Sequence, residues 1–312
     1  MENLYTKVRR FAEDKGIIQE GDNILVALSG GPDSVFLFHF LVYLSGKINI
    51  SVKAAYVHHH LRKEADRELE FTKELAKSHS SPFFYRNIKI KGKAGIEEQA
   101  RKKRYGALYS VAKKAGCNRI AVGHTLDDQA ETVVMRFIKG TGLAGLRGIL
   151  PEKRLFKNID ISVIRPLLCL EKKEILEALG KTGKDYRIDR SNFTEDFLRN
   201  RIRSEILPLL LKYNPQVKKQ TAQMSFLVQD DFAFMEKHAA KALAGILDGS
   251  GRSIDVRAYR KLDTAIKRFA IALLIERITG SPYRSFNRIK KITGYLDKTP
   301  RRKVKLTDII KL

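Results

Sequence analysis

Ser29-Gly30-Gly31-Pro32-Asp33-Ser34 is the stretch whose residue types and spacing could do chemistry. Two adjacent glycines let the backbone turn sharply and come close to a ligand, with no Cβ in the way. Pro32 suits the first position of a helix, where its missing N–H costs nothing, and Asp33 in the same turn complements the helix dipole. Unpaired N–H groups at that helix start, with the Ser29 and Ser34 hydroxyls, make a cradle for phosphate. The spacing is not that of a Walker A loop, which needs a lysine and Ser/Thr after its second glycine, nor of the dinucleotide G-x-G-x-x-G pattern. On residue types alone, the other reading is a tight strand-to-helix turn.

A second run, Gly123-His124-Thr125-Leu126-Asp127-Asp128-Gln129-Ala130-Glu131-Thr132, has two readings. Thr125 and Asp128 stand at capping-box spacing, so the run describes a well-capped helix. It also describes a helix mouth, where His124 assists proton transfer or steadies developing charge and Asp128 holds a metal ion. A third run spans residues 187–203. Asn192 and Glu195 again have capping-box spacing, and Arg199 and Arg203 fall four apart on the helix that follows. Two neighbouring guanidiniums suit phosphate or carboxylate, although a solvated basic face fits the same spacing. His58-His59-His60 invites a metal reading, but successive strand residues point to opposite faces and cannot converge on one ion.

The elements that must position these groups alternate. The pattern predicts strands over 23–28, 50–58, 82–90 and 118–123, a strand-like piece over 164–168, and helices over 2–15, 32–45, 62–79, 96–115, 126–139 and 172–179. Such alternation argues a doubly wound parallel sheet with helices on both faces and a ligand crevice beyond the strands' C-terminal ends. Residues 139–150 hold four glycines and read as a loop, either a mobile one near the site or a plain connector. Helical spacing from residue 193 reaches Pro208. Beyond Pro215 long helices follow (216–244, 264–279, 286–296) with almost no strand signal. These features predict a catalytic domain over 1–212 and a helical domain over 213–312.

At 312 residues, with 43% hydrophobic and 30% charged residues, the chain has the composition of an ordinary soluble protein. Its charge is less ordinary: 60 Lys+Arg against 35 Asp+Glu leave a formal +25. That excess points to a polyanionic partner, nucleic acid ahead of a membrane surface, against the plainer reading of a lysine-rich exterior. The two cysteines, Cys117 and Cys169, lie too far apart in sequence for a CxxC pair or a zinc ribbon, and a reducing cytoplasm fits. The longest apolar run, 35–44, is too short to span a bilayer, and residues 1–15 do not have the pattern of a signal peptide.

The Ser29–Ser34 loop resembles that of the PP-loop ATP pyrophosphatase superfamily. Together with GHTLDDQAET, GTGLAGLRG, the DRSN…RNRIR…P series and Glu98-Gln99-Ala100-Arg101 with Arg104-Tyr105, the first two thirds of the chain resemble the tRNA(Ile)-lysidine synthetase family. The resemblance implies an adenine-nucleotide α-hydrolase-like fold, and ATP bound through Ser29, Gly30, Gly31, Pro32, Asp33 and Ser34 with Val57 near the base. It implies Mg²⁺ on Asp33 and Asp128, with Asp33, His124, Asp128 and Arg199 catalytic. The implied reaction joins L-lysine to C2 of the wobble cytidine of tRNA(Ile) with a CAU anticodon. It runs through an adenylated base and releases pyrophosphate and AMP. The implied assembly is a cytoplasmic homodimer, and long family members carry one more C-terminal domain. A tRNA thiolase of the same superfamily would need a cysteine pair or iron–sulfur ligands. An ATP-dependent RNA-binding protein without catalysis is the remaining alternative.

Overall fold

The computed structural model describes residues 1–58, 65–88, 96–154, 160–187, 197–280 and 285–310. Contacts divide the chain into two compact units, residues 1–140 with 148–223, and residues 141–147 with 224–312.

The first unit is built on β1 (Asn23–Ala27), β2 (Ser51–His58), β3 (Phe83–Asn87), β4 (Arg119–Ala121), β5 (Glu152–Arg154) and β6 (Ser162–Ile164). They form one sheet in the order β3-β2-β1-β4-β6-β5, parallel except for the edge strand β5. Side-chain alternation sorts the strands into two cores. Ile24, Val26, Ala54, Ala121 and Ile164 face one side, and Leu25, Ala55, Ile120 and Val163 the other. Both faces are therefore apolar, which is why these strands read as near-continuous hydrophobic runs.

Helices α1 (Glu2–Asp14), α2 (Pro32–Ser45), α3 (Ala65–Ser78) and α7 (Lys172–Lys181) contribute to the first core, and α4 (Ile96–Lys114) to the second. The residues from Ser34 to Leu41 in α2 are all buried, so this helix is wrapped by protein and its start is held rigidly. Chain order reverses between β1 and β4: β2 and β3 lie on one side, β6 and β5 on the other. The connections leaving β1 and β4 thus part at a topological switch point, where open α/β sheets bind ligands.

Three local expectations change. Residues 139–150 contain one helical turn, α6 (Leu143–Leu146), after the extended Gly142. The piece at 164–168 is a strand end followed by a 3₁₀ turn over Pro166–Cys169, because proline cannot donate to the ladder. Helix α5 (Leu126–Ile138) follows β4, and α8 (Phe197–Arg201) runs through a π-type segment (Ile202–Ile206) into α9 (Leu207–Tyr213). Pro208 therefore does not stop the helix. It sits in the first turn of α9, after a widened turn that accommodates its missing N–H. The expected cap at Asn192 and Glu195, and His59 and His60, lie outside the described residues.

In the second unit, residues from 224 onward of α10 (Val217–Ile246) pack with α11 (Val256–Arg260), α12 (Thr264–Thr279) and α13 (Phe286–Lys298). Its core is centred on Tyr259, Ile271, Leu274, Ile292 and Leu296. A two-stranded ribbon, β7 (Ser253–Asp255) with β8 (Lys303–Lys305), and a last turn, α14 (Leu306–Ile310), complete it. Three-residue strands fall below what periodicity can register, which is why this ribbon and β5 are not apparent in the sequence. Residues 141–147 belong here: Arg147 lies 3.7 Å from the Phe232 ring centroid, and its carbonyl accepts from Gln229 Nε2 at 2.6 Å. Among the described residues no helix is long and apolar enough to cross a membrane.

Candidate active site

The phosphate loop leaves β1 with Leu28 N donating to the Ala55 carbonyl at 2.9 Å. Gly30 takes φ +85, in the left-handed region that L side chains rarely adopt, so a substitution there is strained although a Cβ would meet Thr72 and Phe71 only at ordinary contact distance. Gly31 caps α2, Pro32 opens it and Asp33 lies in its first turn. Ser34 Oγ donates to the Gly31 carbonyl at 2.9 Å, and Ser29 N and Oγ both approach Ser34 Oγ, at 3.2 and 3.1 Å. The two hydroxyls thus hold the loop in shape. The Gly30 carbonyl accepts from Arg187 N at 2.8 Å, tying the start of the third run to the loop.

Gly123 brings the loop after β4 against this helix start. A Cβ at Gly123 would stand 3.0 Å from the carbonyl carbon of Asp33. Asp33 is the pivotal group. Its Oδ1 is buried without a hydrogen-bond partner among the described residues, and its Oδ2 lies 3.9 Å from Lys172 Nζ. Burial pushes its carboxyl up to about 6, with Asp128 and Asp127 adding to the rise and Lys172 and Arg203 opposing it.

The other carboxylates nearby are saturated. Asp128 Oδ2 accepts from Thr125 N at 2.8 Å and from Thr125 Oγ1 at 3.0 Å, the capping box expected from the spacing. Its Oδ1 accepts from Arg199 Nη2 at 2.9 Å. Glu131, only 3% exposed, accepts from Arg199 Nε at 2.9 Å and from Arg203 Nε and Nη2 at 2.7 and 3.0 Å. Asp127 accepts from Lys172 N at 2.7 Å and Lys218 Nζ at 2.6 Å. The two arginines singled out by their spacing therefore meet carboxylates of α5.

A cleft of about 180 Å³ opens among these groups. Asp33, Thr125, Asp127, Asp128 and Glu131 line it with Lys172, Arg203 and Lys218, and Leu207, Pro208 and Leu211 give it an apolar wall. The structure thus brings Asp33, Asp128 and Arg199 together. Burial, followed by the fields of Arg165, Arg101, Arg104 and Arg199, drives His124 well below the ordinary imidazole value. That direction favours its neutral form. Val57, half-buried near the end of β2, packs with the second core.

Sequence reasoning left Asp127, Glu131, Lys172 and Lys218 without roles. Glu131 was the readable one, since it lies three residues beyond Asp128 and shares its helix face. Lys172 and Lys218 reach Asp127 from sequence positions 45 and 91 residues away, which no local pattern encodes. A magnesium ion is held by one or two carboxylates plus substrate phosphates. Asp33 fits that demand with an oxygen to spare. Asp128 fits it only by releasing Arg199 or Thr125.

Comparison with known proteins agrees with the fold. A family model described as a PP-loop domain matches residues 1–210. The tRNA(Ile)-lysidine synthase of Persephonella marina is 35% identical over 288 residues, 90% of this chain and 61% of that one. The synthase of the same name from Petrotoga mobilis is 31% identical over 233 residues, 73% of each chain. That of Dehalococcoides mccartyi is 33% identical, and the match spans 61% of its length. Among solved structures, the U34-tRNA thiolase of Methanococcus maripaludis with its [4Fe-4S] cluster superposes with a TM-score of 0.59. It shares 19% identity, with 72% of this chain and 78% of that one covered, a likeness of fold.

Proposed function

The chain belongs to the tRNA(Ile)-lysidine synthase family of PP-loop proteins, and from that membership we propose that it ligates L-lysine to C2 of the wobble cytidine of a CAU-anticodon tRNA(Ile) at the expense of ATP. Cytidine O2 attacks the α-phosphorus and pyrophosphate leaves. The lysine ε-amine then attacks C2, loses a proton, and AMP leaves. No covalent bond to the enzyme is required, so positioning and electrostatics carry the catalysis.

The observation that carries this reading is the buried, unpartnered Asp33 Oδ1 at the start of α2, beside the phosphate loop. Ser29 to Ser34 hold the nucleotide's phosphates, with Val57 near its base. Asp33 would hold Mg²⁺, with Asp128 as a second ligand if it released Arg199, and a bound ion would supply charge neutralisation on the phosphates. His124, uncharged, accepts or donates a hydrogen bond as a proton moves. The apolar wall of the cleft, Leu207, Pro208 and Leu211, suits the methylene stem of lysine.

Exposed Arg252, Arg257, Lys261, Arg268, Lys290, Lys291, Arg301, Arg302 and Lys303 give the second unit a basic exterior for tRNA phosphates. The target base has to leave the anticodon stack to react. A homodimer in the cytoplasm belongs to the same reading. Sulfur transfer is disfavoured by the cysteines: Cys117 is buried in the second core, Cys169 packs beside the first, and neither lines the cleft.

The test is incubation with ATP, labelled lysine and a tRNA(Ile) transcript. Label entering the tRNA with equimolar pyrophosphate and AMP is expected. ATP binding without turnover would instead indicate a binding module.

A further inference from the structure

The phosphate loop from Ser29 to Ser34 contains no cationic side chain, and Asp33 adds a negative charge to it. Backbone N–H groups and hydroxyls can hold a nucleotide's phosphates, but they bring only partial charge. When the bond between the α and β phosphates breaks, charge builds on the departing pyrophosphate, and a full positive charge placed there lowers the barrier. A Walker A loop supplies that charge with its own lysine. Here it has to come from another element.

Among the described residues three cations line the cleft beside Asp33: Lys172, Arg203 and Lys218. Two of them are committed. Arg203 donates twice to Glu131, at 2.7 and 3.0 Å, and Lys218 Nζ donates to Asp127 at 2.6 Å. Lys172 differs. Its ammonium makes no hydrogen bond among the described residues, and its one ion pair there is the 3.9 Å approach to Asp33 Oδ2.

The backbone of Lys172 is as firmly fixed as its side chain is free. Lys172 N donates to Asp127 Oδ2 at 2.7 Å, and Leu126 N donates to the Leu170 carbonyl at 2.8 Å. The start of α7 is thereby fastened to the start of α5. Glu171 and Glu174 close a capping box on the same turn. The side chain is 47% exposed, so its four-carbon stem can carry the ammonium from Asp33 to a ligand on the loop. A lysine meets phosphate as a movable point charge, which suits a group that departs.

We propose that Lys172 is a catalytic residue that binds the outer phosphates of ATP and stabilises pyrophosphate as it leaves, supplying from α7 the cation that the phosphate loop lacks. The assignment deepens the ligase reading and rests on it for the reaction. Cytidine O2 forms its bond to the α-phosphorus while the bond from that phosphorus to the bridging oxygen breaks. The electron pair stays on the bridging oxygen, and Lys172, which keeps its proton throughout, faces the charge so formed. AMP lacks the outer phosphates and needs no contact with this lysine.

The test titrates inorganic pyrophosphate and AMP separately into the full chain by calorimetry, in magnesium buffer. Lys172→Met keeps the stem and removes the charge, and Lys172→Arg keeps the charge. Pyrophosphate affinity is expected to fall tenfold or more in Lys172→Met and to recover in part in Lys172→Arg, while AMP affinity stays within twofold in both. With ATP, labelled lysine and tRNA(Ile), Lys172→Met should lower kcat tenfold or more and leave the KM for lysine unchanged. Pyrophosphate binding to the folded Met variant within twofold of wild type would overturn the proposal. An equal loss of AMP affinity would overturn it too, since a merely structural role at the start of α7 produces that result. Pyrophosphate binding that depends on Lys172, in a protein that forms no lysidine, would leave the cation's place at the phosphates standing and remove the ligase reading.

Discussion

Gly123 lies against Asp33 so closely that a methyl group there would stand 3.0 to 3.2 Å from that residue's carbonyl carbon, oxygen and Cβ. The obstacle is largely backbone at the start of a helix buried on almost every side, so it cannot swing away. Gly123→Ala is expected to cost about 1–3 kcal/mol of stability, as overpacking does. The displaced atoms belong to the residue that bears the free carboxylate oxygen, so ATP turnover should fall further than stability does. Urea unfolding alongside pyrophosphate release checks this; unchanged turnover would show that the two segments adjust independently.

Glu131 serves two arginines from a buried position, and Arg203 is about half exposed while Arg199 is less so. Removing the carboxylate by Glu131→Ala leaves Arg203 without its carboxylate partner and Arg199 with Asp128 alone, two cations side by side on one helix face. Breaking buried pairs costs roughly 3–5 kcal/mol, and solvent reaching Arg203 places this one toward about 2–3 kcal/mol. Glu131→Gln, which keeps the acceptor oxygen, should recover part of that. Equal losses for the two variants would show that shape rather than charge holds the cluster.

Asp33→Asn separates stability from function. The carboxyl is held at about 6 chiefly by burial, so ionising it works against folding at neutral pH. Replacing it with a neutral isostere should raise stability at pH 7 by about 1–3 kcal/mol while abolishing adenylation. Near-normal activity in a stabilised variant would remove Asp33 from the metal site.

These outcomes also mark what was legible in the sequence. The phosphate loop, the Thr125–Asp128 cap and the strand–helix alternation are local patterns, and each appears where spacing places it. The pairing of Arg199 and Arg203 with Asp128 and Glu131 joins residues about seventy positions apart, a relation that packing alone creates. Short elements escaped for a different reason: β5, β7 and β8 have three residues each, less than two periods of strand alternation. The widened turn ahead of Pro208 escaped because the sequence rule for proline is to end a helix, not to begin the next.

Binding of tRNA should weaken steeply with salt. Each phosphate neutralised by a lysine or arginine releases condensed counterions, so log affinity falls with log salt by roughly 0.9 per contact on duplex and about 0.7 on single strands. Charge-removing exchanges at Arg301, Arg302 and Lys303, all exposed, should flatten that slope by about two to three units if each meets a phosphate. A slope that does not change would move the tRNA contact elsewhere on the chain.

His39 supplies a pH dependence of opposite sign to that of Asp33. It is buried in α2, its Nδ1 accepts from Lys184 Nζ at 3.3 Å, and the His79 ring stands 5.1 Å away. Burial, then Lys184 and His79, hold its imidazole down at about 4. Its contribution is therefore present above the ordinary imidazole range and lost as pH falls from about 6.5 through 4, up to about 3 kcal/mol. Asp33, with its carboxyl raised to about 6, contributes stability that is present below the ordinary carboxylate range and lost as pH climbs through 6. Between pH 4 and 6 the two slopes oppose each other and partly cancel in the wild type. His39→Leu should therefore leave a stability curve that falls more steeply with rising pH, and Asp33→Asn one that climbs more steeply. Unfolding midpoints of the three proteins measured from pH 4 to 7 check both signs at once. Parallel curves would mean that neither group is perturbed in the folded chain.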